Sequence, residues 1–182
     1  APGECLVVSG PSGSGKSTLL SVLMGALAPV EGTVYASEVS LARADAASWR
    51  DAVAWCPQDA YVFDSRIRAN LAIARSRENA PTDEEMTAAL ARVGLSLDLD
   101  TRVGAGGSAL SGGERQRLAV ARALLTSAEV ILLDEPAAHL DRPTAEAMMA
   151  DIRRATADRI VVLVSHRPDA QAPEGSRVIA LG

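Results

Sequence analysis

Gly10-Pro-Ser-Gly-Ser-Gly-Lys-Ser17 is the stretch whose reading decides the fold. It follows the apolar run Cys5–Ser9, which reads as a buried strand, and it opens a helical pattern over 16–27 that Pro29 stops. A glycine-rich turn between strand and helix lets successive backbone N–H groups point inward, and the positive end of the helix adds a favourable field for an anion. A plain glycine turn would account for Gly13 and Gly15 but not for the Lys16-Ser17 pair. An ammonium reaching β- and γ-phosphates and a hydroxyl facing Mg²⁺ account for both. The stretch is therefore read as a phosphate-binding loop inside an α/β chain.

Outward from the loop, further short strands rich in Val, Ile and Leu follow at 53–56, 130–133 and 160–164, with a last one at 177–181. Such runs suit a mostly parallel sheet covered on both faces. Between Pro57 and Glu129 the strand signal disappears. Thr82 and Glu85 have capping-box spacing, Met86, Ala89, Leu90 and Val93 share one face, and Gly94 ends that helix. The 100–109 stretch, with Gly104, Gly106 and Gly107, reads as a flexible loop before a second capping box, Ser111 with Glu114, which opens a helix through Leu125. One domain over 1–182 is expected, with a core over 1–58 and 128–182 and an inserted helical subdomain over 59–127.

The 182 residues, 48% apolar and 23% charged, suit a single core. A membrane helix needs about 20 apolar residues, and no run here approaches that length. A net charge of −5 argues against a nucleic-acid partner, whose binding would rest on cationic contacts to phosphates. Cys5 and Cys56 lack metal-site or redox spacing and read as buried fillers of a reducing compartment. The first residues carry no basic, apolar leader, and the missing initiator Met suggests a trimmed start. Of the 18 basic residues seventeen are Arg, and the only Lys is Lys16. A compact ammonium kept at one place points to a role that a planar guanidinium does not fill.

The 130–135 run, Val-Ile-Leu-Leu-Asp-Glu, places two carboxylates where a buried strand emerges at its carboxyl end, the place where open α/β sheets bind ligands. Asp134 is positioned to hold Mg²⁺ through water, and Glu135 to orient or deprotonate the attacking water. The strand at 160–164 delivers His166 to the same edge, and Gln58 follows the strand at 53–56 there. Leu110-Ser-Gly-Gly-Glu114 is a second anion-binding helix start, unless Ser111 is simply an N-cap. Two phosphate-gripping helix starts with a single loop of the Gly10 to Ser17 type suggest that the second grips a nucleotide held by another copy.

At this point the sequence resembles the nucleotide-binding domain of ABC transporters, along nearly its whole length and in the family's order. Residues 10–17 look like Walker A, Gln58 like the Q-loop, 110–114 like the ABC signature, 130–135 like Walker B, 138–141 like the D-loop, and His166 like the switch histidine. The resemblance implies a P-loop NTPase core with an inserted α-helical subdomain carrying the signature. It implies ATP and Mg²⁺ as cofactors, with Gly10, Pro11, Ser12, Gly13, Ser14, Gly15, Lys16, Ser17 and Thr18 on the nucleotide. Ser17, Gln58 and Asp134 would serve the metal, and Glu135, His166 and Gln58 the catalysis. Ser111, Gly112 and Gly113 would clamp the ATP of a second nucleotide-binding domain, identical or paralogous, with Asp141 touching that partner. Transmembrane domains would be the other partner, which places the chain at the cytoplasmic face of the inner (plasma) membrane.

The 57–64 stretch, with Ile67, Asn70 and Leu71, looks like the exporter branch of the family, and Ala138-His-Leu-Asp141 is similar to thiol exporters of the CydDC type. The family's adenine-stacking aromatic normally precedes Walker A. No such residue precedes Gly10 here, which suggests an excised fragment with weakened adenine binding. A soluble ABC ATPase acting on DNA or ribosomes is the main rival. The short spacing between Gln58 and Leu110 excludes its coiled-coil version, and the presence of one such domain speaks against its ribosomal one. A non-hydrolysing regulatory module would lack Glu135.

Overall fold

The computed structural model describes residues 2–166 and 175–182; Ala1 and the 167–174 part of the expected core lie outside the described residues. Along the chain run β1 (Cys5–Ser9), α1 (Lys16–Leu23), β2 (Tyr35–Ala36), β3 (Val39–Ser40), α2 (Ala46–Ala52), β4 (Val53–Cys56) and α3 (Ile67–Ala72). Then follow α4 (Asp83–Arg92), α5 (Gly112–Leu125), β5 (Val130–Asp134), α6 (Arg142–Ala155), β6 (Ile160–Val164) and β7 (Arg177–Ala180). The main sheet has the order β4-β5-β6-β1-β7 and every pairing in it is parallel, while β2 and β3 form a separate antiparallel hairpin.

Period-two alternation sends neighbouring residues of each strand to opposite faces, and here both faces are covered. Val7, Ile131, Leu133, Val161 and Leu163 enter one apolar cluster, and Val8, Leu132, Val162 and Val164 enter the other, where Leu20 of α1 meets them. The first cluster continues through Ile67, Leu71, Met86, Leu90 and Leu118, so the helices after β4 share one core with the sheet. Truncating a side chain as buried as Leu133 to Ala would cost about 3 kcal/mol. Among the described residues no helix is long and apolar enough to cross a membrane.

The boundaries depart from expectation in three places. The first helix ends at Leu23, not at 27, because Gly25 takes a left-handed φ of 79°. Its N–H donates to the Val22 carbonyl and that of Ala26 to Ser21, a Schellman closure completed before Pro29 is reached. The 100–109 loop, expected as flexible, is tied down: the Val103 N–H donates to the Ser65 carbonyl, and a 3-10 turn spans Ala105–Gly107. The hairpin, α2, α3 and α6 were not foreseen. α6 nevertheless carries clear signals, with Asp141 as its N-cap, Pro143 in its first turn, and Ala145, Met148, Met149 and Ile152 on its buried face.

Both capping boxes, at Thr82 with Glu85 and at Ser111 with Glu114, form as read. Cys5 and Cys56 are buried, and burial pushes the Cys56 thiol up to about 12. The parallel topology brings the carboxyl ends of β1, β4, β5 and β6 to one edge of the sheet, where the chain continues into Gly10, Pro57, Glu135 and Ser165.

Candidate active site

At that edge a cleft of about 280 Å³ is lined by Ser12, Gly13, Gly15, Lys16, Ser17, Thr18, Gln58, Asp134, Glu135 and His166. The loop that forms one wall folds around the Lys16 ammonium, which donates to the carbonyls of Gly10 at 2.9 Å and Pro11 at 2.7 Å. Gly10 is required by a close approach. Its φ is 154°, and an added Cβ would lie 2.4 Å from the Leu181 carbonyl oxygen, where the end of the chain crosses the loop. The N-terminus of α1 has no side-chain cap, so its first N–H groups are left for an anion. The Ser14 hydroxyl oxygen is buried there without a hydrogen-bond partner among the described residues.

Asp134 and Glu135 are each 5% exposed. Burial pushes the Asp134 carboxyl above its ordinary value, opposed by the hydrogen bond from Ser17 Oγ and by the charges of Lys16 and His166. That hydroxyl donates to Asp134 Oδ2 at 3.0 Å. Burial also raises Glu135, with the His166 charge and the His166 N–H opposing, a further push from Asp134 and an opposing pull from Lys16. Glu135 adopts a φ of 51°, a left-handed conformation that side chains rarely take. The backbone N–H of His166 donates to its Oε1 at 2.8 Å and holds it there. Strain maintained at a buried carboxylate is a mark of a working site.

His166 closes the ring. Its Nδ1 stands 3.2 Å from the Gly10 carbonyl, which can only accept, so Nδ1 carries the hydrogen. Its Nε2 faces Glu135 Oε1 at 3.4 Å. One imidazole therefore joins the phosphate loop to the carboxylate pair. Ser17 Oγ with Asp134 Oδ2 is an all-oxygen donor pair suited to a hard cation such as Mg²⁺. Among the described residues no three His, Cys, Asp or Glu converge as a metal cluster, so phosphate and water oxygens would have to complete the coordination.

The other expected residues lie elsewhere. Ser111 and Gly112 are exposed at the start of α5, outside the phosphate cleft of their own chain. Gly112 instead lines a second cleft of about 390 Å³ with Gln58, Arg115, Gln116 and His139. The capping box closes this helix start on itself: Ser111 N and Oγ donate to Glu114 Oε2 at 2.8 and 2.7 Å. Asp141 accepts from the Thr144 N–H and hydroxyl and thereby caps α6. Among the described residues no Phe, Tyr or Trp lines this cleft. Tyr61 and Phe63 pair edge to face with centroids 5.0 Å apart, and both line a separate apolar cleft beside Trp55.

The sequence reading passed over Gln116, a buried polar residue whose amide reaches Pro57 and Asp134. A glutamine inside the apolar face of a helix, between Ser111 and Leu118, was the available signal.

The family described as ABC transporter matches residues 1–138. The mycobactin import ATP-binding/permease protein IrtB of Mycolicibacterium thermoresistibile is 40% identical over 171 residues, covering 91% of this chain and 29% of that protein. The glutathione/L-cysteine transport system ATP-binding/permease protein CydC of Bacillus subtilis is 36% identical over 167 residues, covering 88% of this chain and 29% of that protein. A bacterial Atm1-family ABC exporter solved with ATP bound superposes with a TM-score of 0.89 at 31% identity, over 100% of this chain and 32% of that one. The chain thus spans about a third of the length of the proteins it matches.

Proposed function

This chain belongs to the ABC transporter family, and from that premise we propose that it is the ATP-hydrolysing motor of an exporter-type transporter, working as one half of a nucleotide-clamped pair. The family binds ATP. The observation that carries the finer reading is the meeting of Lys16, Ser17, Gln58, Asp134, Glu135 and His166 in one cleft from separate segments of the chain. Residues 10–18 grip the phosphates, with the ammonium of Lys16 moving from its two carbonyls to phosphate oxygens. Ser17 and Asp134 would hold Mg²⁺, with Gln58 beside them, and the ion would neutralise phosphate charge.

Glu135 accepts the proton of the attacking water. Its buried position, with a carboxyl pushed up, makes it a better base than an exposed glutamate. His166 holds Glu135 in place and faces the terminal phosphate. Ser111, Gly112 and Gly113 are not among the residues lining their own cleft, which supports a role on the nucleotide of a second copy or a paralogue, with Asp141 at that contact. Residues 1–58 and 128–182 act as the core and 59–127 as the inserted arm. Closure around ATP is passed to transmembrane domains, which place the motor at the cytoplasmic face of the inner membrane. Closure does work only because the closed pair binds ATP better than the open one. The direction and cargo of transport belong to the membrane segments.

A Glu135→Gln chain tests this reading. In saturating MgATP it is expected to bind nucleotide, to lose turnover by about a hundredfold or more, and to run as a dimer by light scattering. A nucleotide-bound chain that stays monomeric overturns the shared site, and undiminished turnover overturns the role of Glu135.

A further inference from the structure

Gln116 is 4% exposed, on the first turns of α5. Its amide nitrogen carries two hydrogens, and it lies 3.1 Å from the Pro57 carbonyl, 3.4 Å from the Asp134 carbonyl and 3.7 Å from the Cys56 sulfur. Those two carbonyls sit at the ends of neighbouring strands, β4 and β5, whose ladder closes at the pair Cys56 and Leu133. Pro57 has no N–H with which to extend that ladder. The Asp134 carbonyl is buried and that of Pro57 partly so, and one side chain from a different element donates to both, with the Cys56 thiol also reaching the Pro57 carbonyl at 3.9 Å.

The placement matters because of what comes next in the chain. Gln58 follows Pro57, and Glu135 follows Asp134. Five residues before Gln116, as the N-cap of the same helix, stands Ser111, which is not among the residues lining the cleft. A helix transmits a displacement of its first turn along its axis, because its hydrogen-bond ladder is stiff. The first buried polar contact that such a displacement meets is this amide.

We infer that Gln116 is a positioning residue that locks the Gln58 loop and the Glu135 strand end to the signature end of α5, so that engagement of Ser111 by a partner's nucleotide sets the geometry of this chain's own catalytic carboxylate. The inference rests on the reading of Ser111 given under the proposed function. Its core, the mechanical tie between α5 and two strand ends, can be tested without nucleotide.

The closing experiment compares the wild-type chain with Gln116→Met, similar in length but without donors, and Gln116→Glu, which can donate only when protonated. Without nucleotide, hydrogen exchange of the β4 amides at 54–56 and of the Glu135 amide, which donates to the Val164 carbonyl, is expected to rise about tenfold more in Gln116→Met than that of the α6 amides, which report any loss of global stability. Unchanged exchange overturns the tie. In steady state the same variant is expected to lose about tenfold in kcat at an unchanged KM for MgATP, since the amide touches no part of the cleft wall formed by residues 12–18. An unchanged kcat overturns the coupling. Absence of turnover in the wild type would instead refute the proposed function and leave the exchange result to decide the tie. Should Gln116→Met fail to fold, the ratio of Gln116→Glu to wild-type exchange at 54–56 and at Glu135 decides. The tie predicts that the ratio falls as the pH is lowered and the new carboxyl becomes a donor; a flat ratio overturns it.

Discussion

Two helix starts in this chain answer the same physical problem in opposite ways. The start of α1 has no side-chain cap, lines a cleft and has its loop folded around the chain's only lysine. The start of α5 is exposed and partly capped by the chain itself, with Ser111 and Glu114 exchanging hydrogen bonds. Orphan N–H groups at a helix terminus must be met by something. At α1 that something has to come from outside the chain. At α5 the chain already provides part of it, so any phosphate gripped there would meet the Glu114 carboxylate as well. An open end makes a primary binding site, and a self-capped end makes a conditional one.

The largest effect is expected at the open end. Lys16→Ala removes two hydrogen bonds inside the loop and every ammonium contact to phosphate. At about 1.5–3 kcal/mol for each charge-assisted bond, MgATP affinity measured by calorimetry should fall at least a hundredfold. Affinity within a few-fold of wild type would erase the distinction between the two ends.

A smaller effect is expected at Asp134. Its carboxyl, raised by burial, binds a proton in the folded chain over a pH window in which the unfolded chain has released it. The window opens near the ordinary carboxylate value of about 4, and the contribution to stability is lost as pH rises through the raised value. Asp134→Asn keeps an acceptor for Ser17 and removes the buried charge. The nucleotide-free variant should therefore melt a few degrees higher than wild type at neutral pH, with the gap closing toward pH ~4, while the extra stabilisation by Mg²⁺ with ATP disappears. A variant that melts lower at neutral pH would show that the carboxylate is not penalised in the empty cleft.

The smallest effect belongs to the self-capped end. Glu114→Gln removes one negative charge from a helix start, a change of about 0.3–1 kcal/mol in that local field. ATP-dependent pairing of the chain, followed by sedimentation, should tighten a few-fold because the incoming phosphate no longer meets a carboxylate. Weaker pairing would mean that Glu114 helps to hold the partner and that the two ends are more alike than their caps suggest.

Legibility in the sequence followed the range of each interaction. The phosphate loop, the acidic pair and both capping boxes depend on residues a few positions apart, and each was read where it stands. The end of α1 was misplaced because a left-handed Gly25 closes the helix before the more conspicuous Pro29. The small hairpin and α2 have few apolar residues to announce them, and Tyr35 and Val39 remain exposed. The strand-end position of His166 was legible, but its hydrogen bond to Gly10 across 156 residues was not. Gln116 was missed for the same reason, since its acceptors lie 59 and 18 positions away.

The sequence by itself determined which groups exist and which local turns present them, because glycine conformations, caps and strand periodicity are settled by near neighbours. It thereby determined that Lys16 would stand in a glycine-rich strand-to-helix turn and that carboxylates would wait at a strand end. Only the tertiary structure decided that Lys16, Asp134, Glu135 and His166 share one cleft while Ser111 lies outside its lining. The order of parallel strands fixes those distances, and that order is set by burying both faces of the sheet at once, a condition that no local stretch of sequence can express.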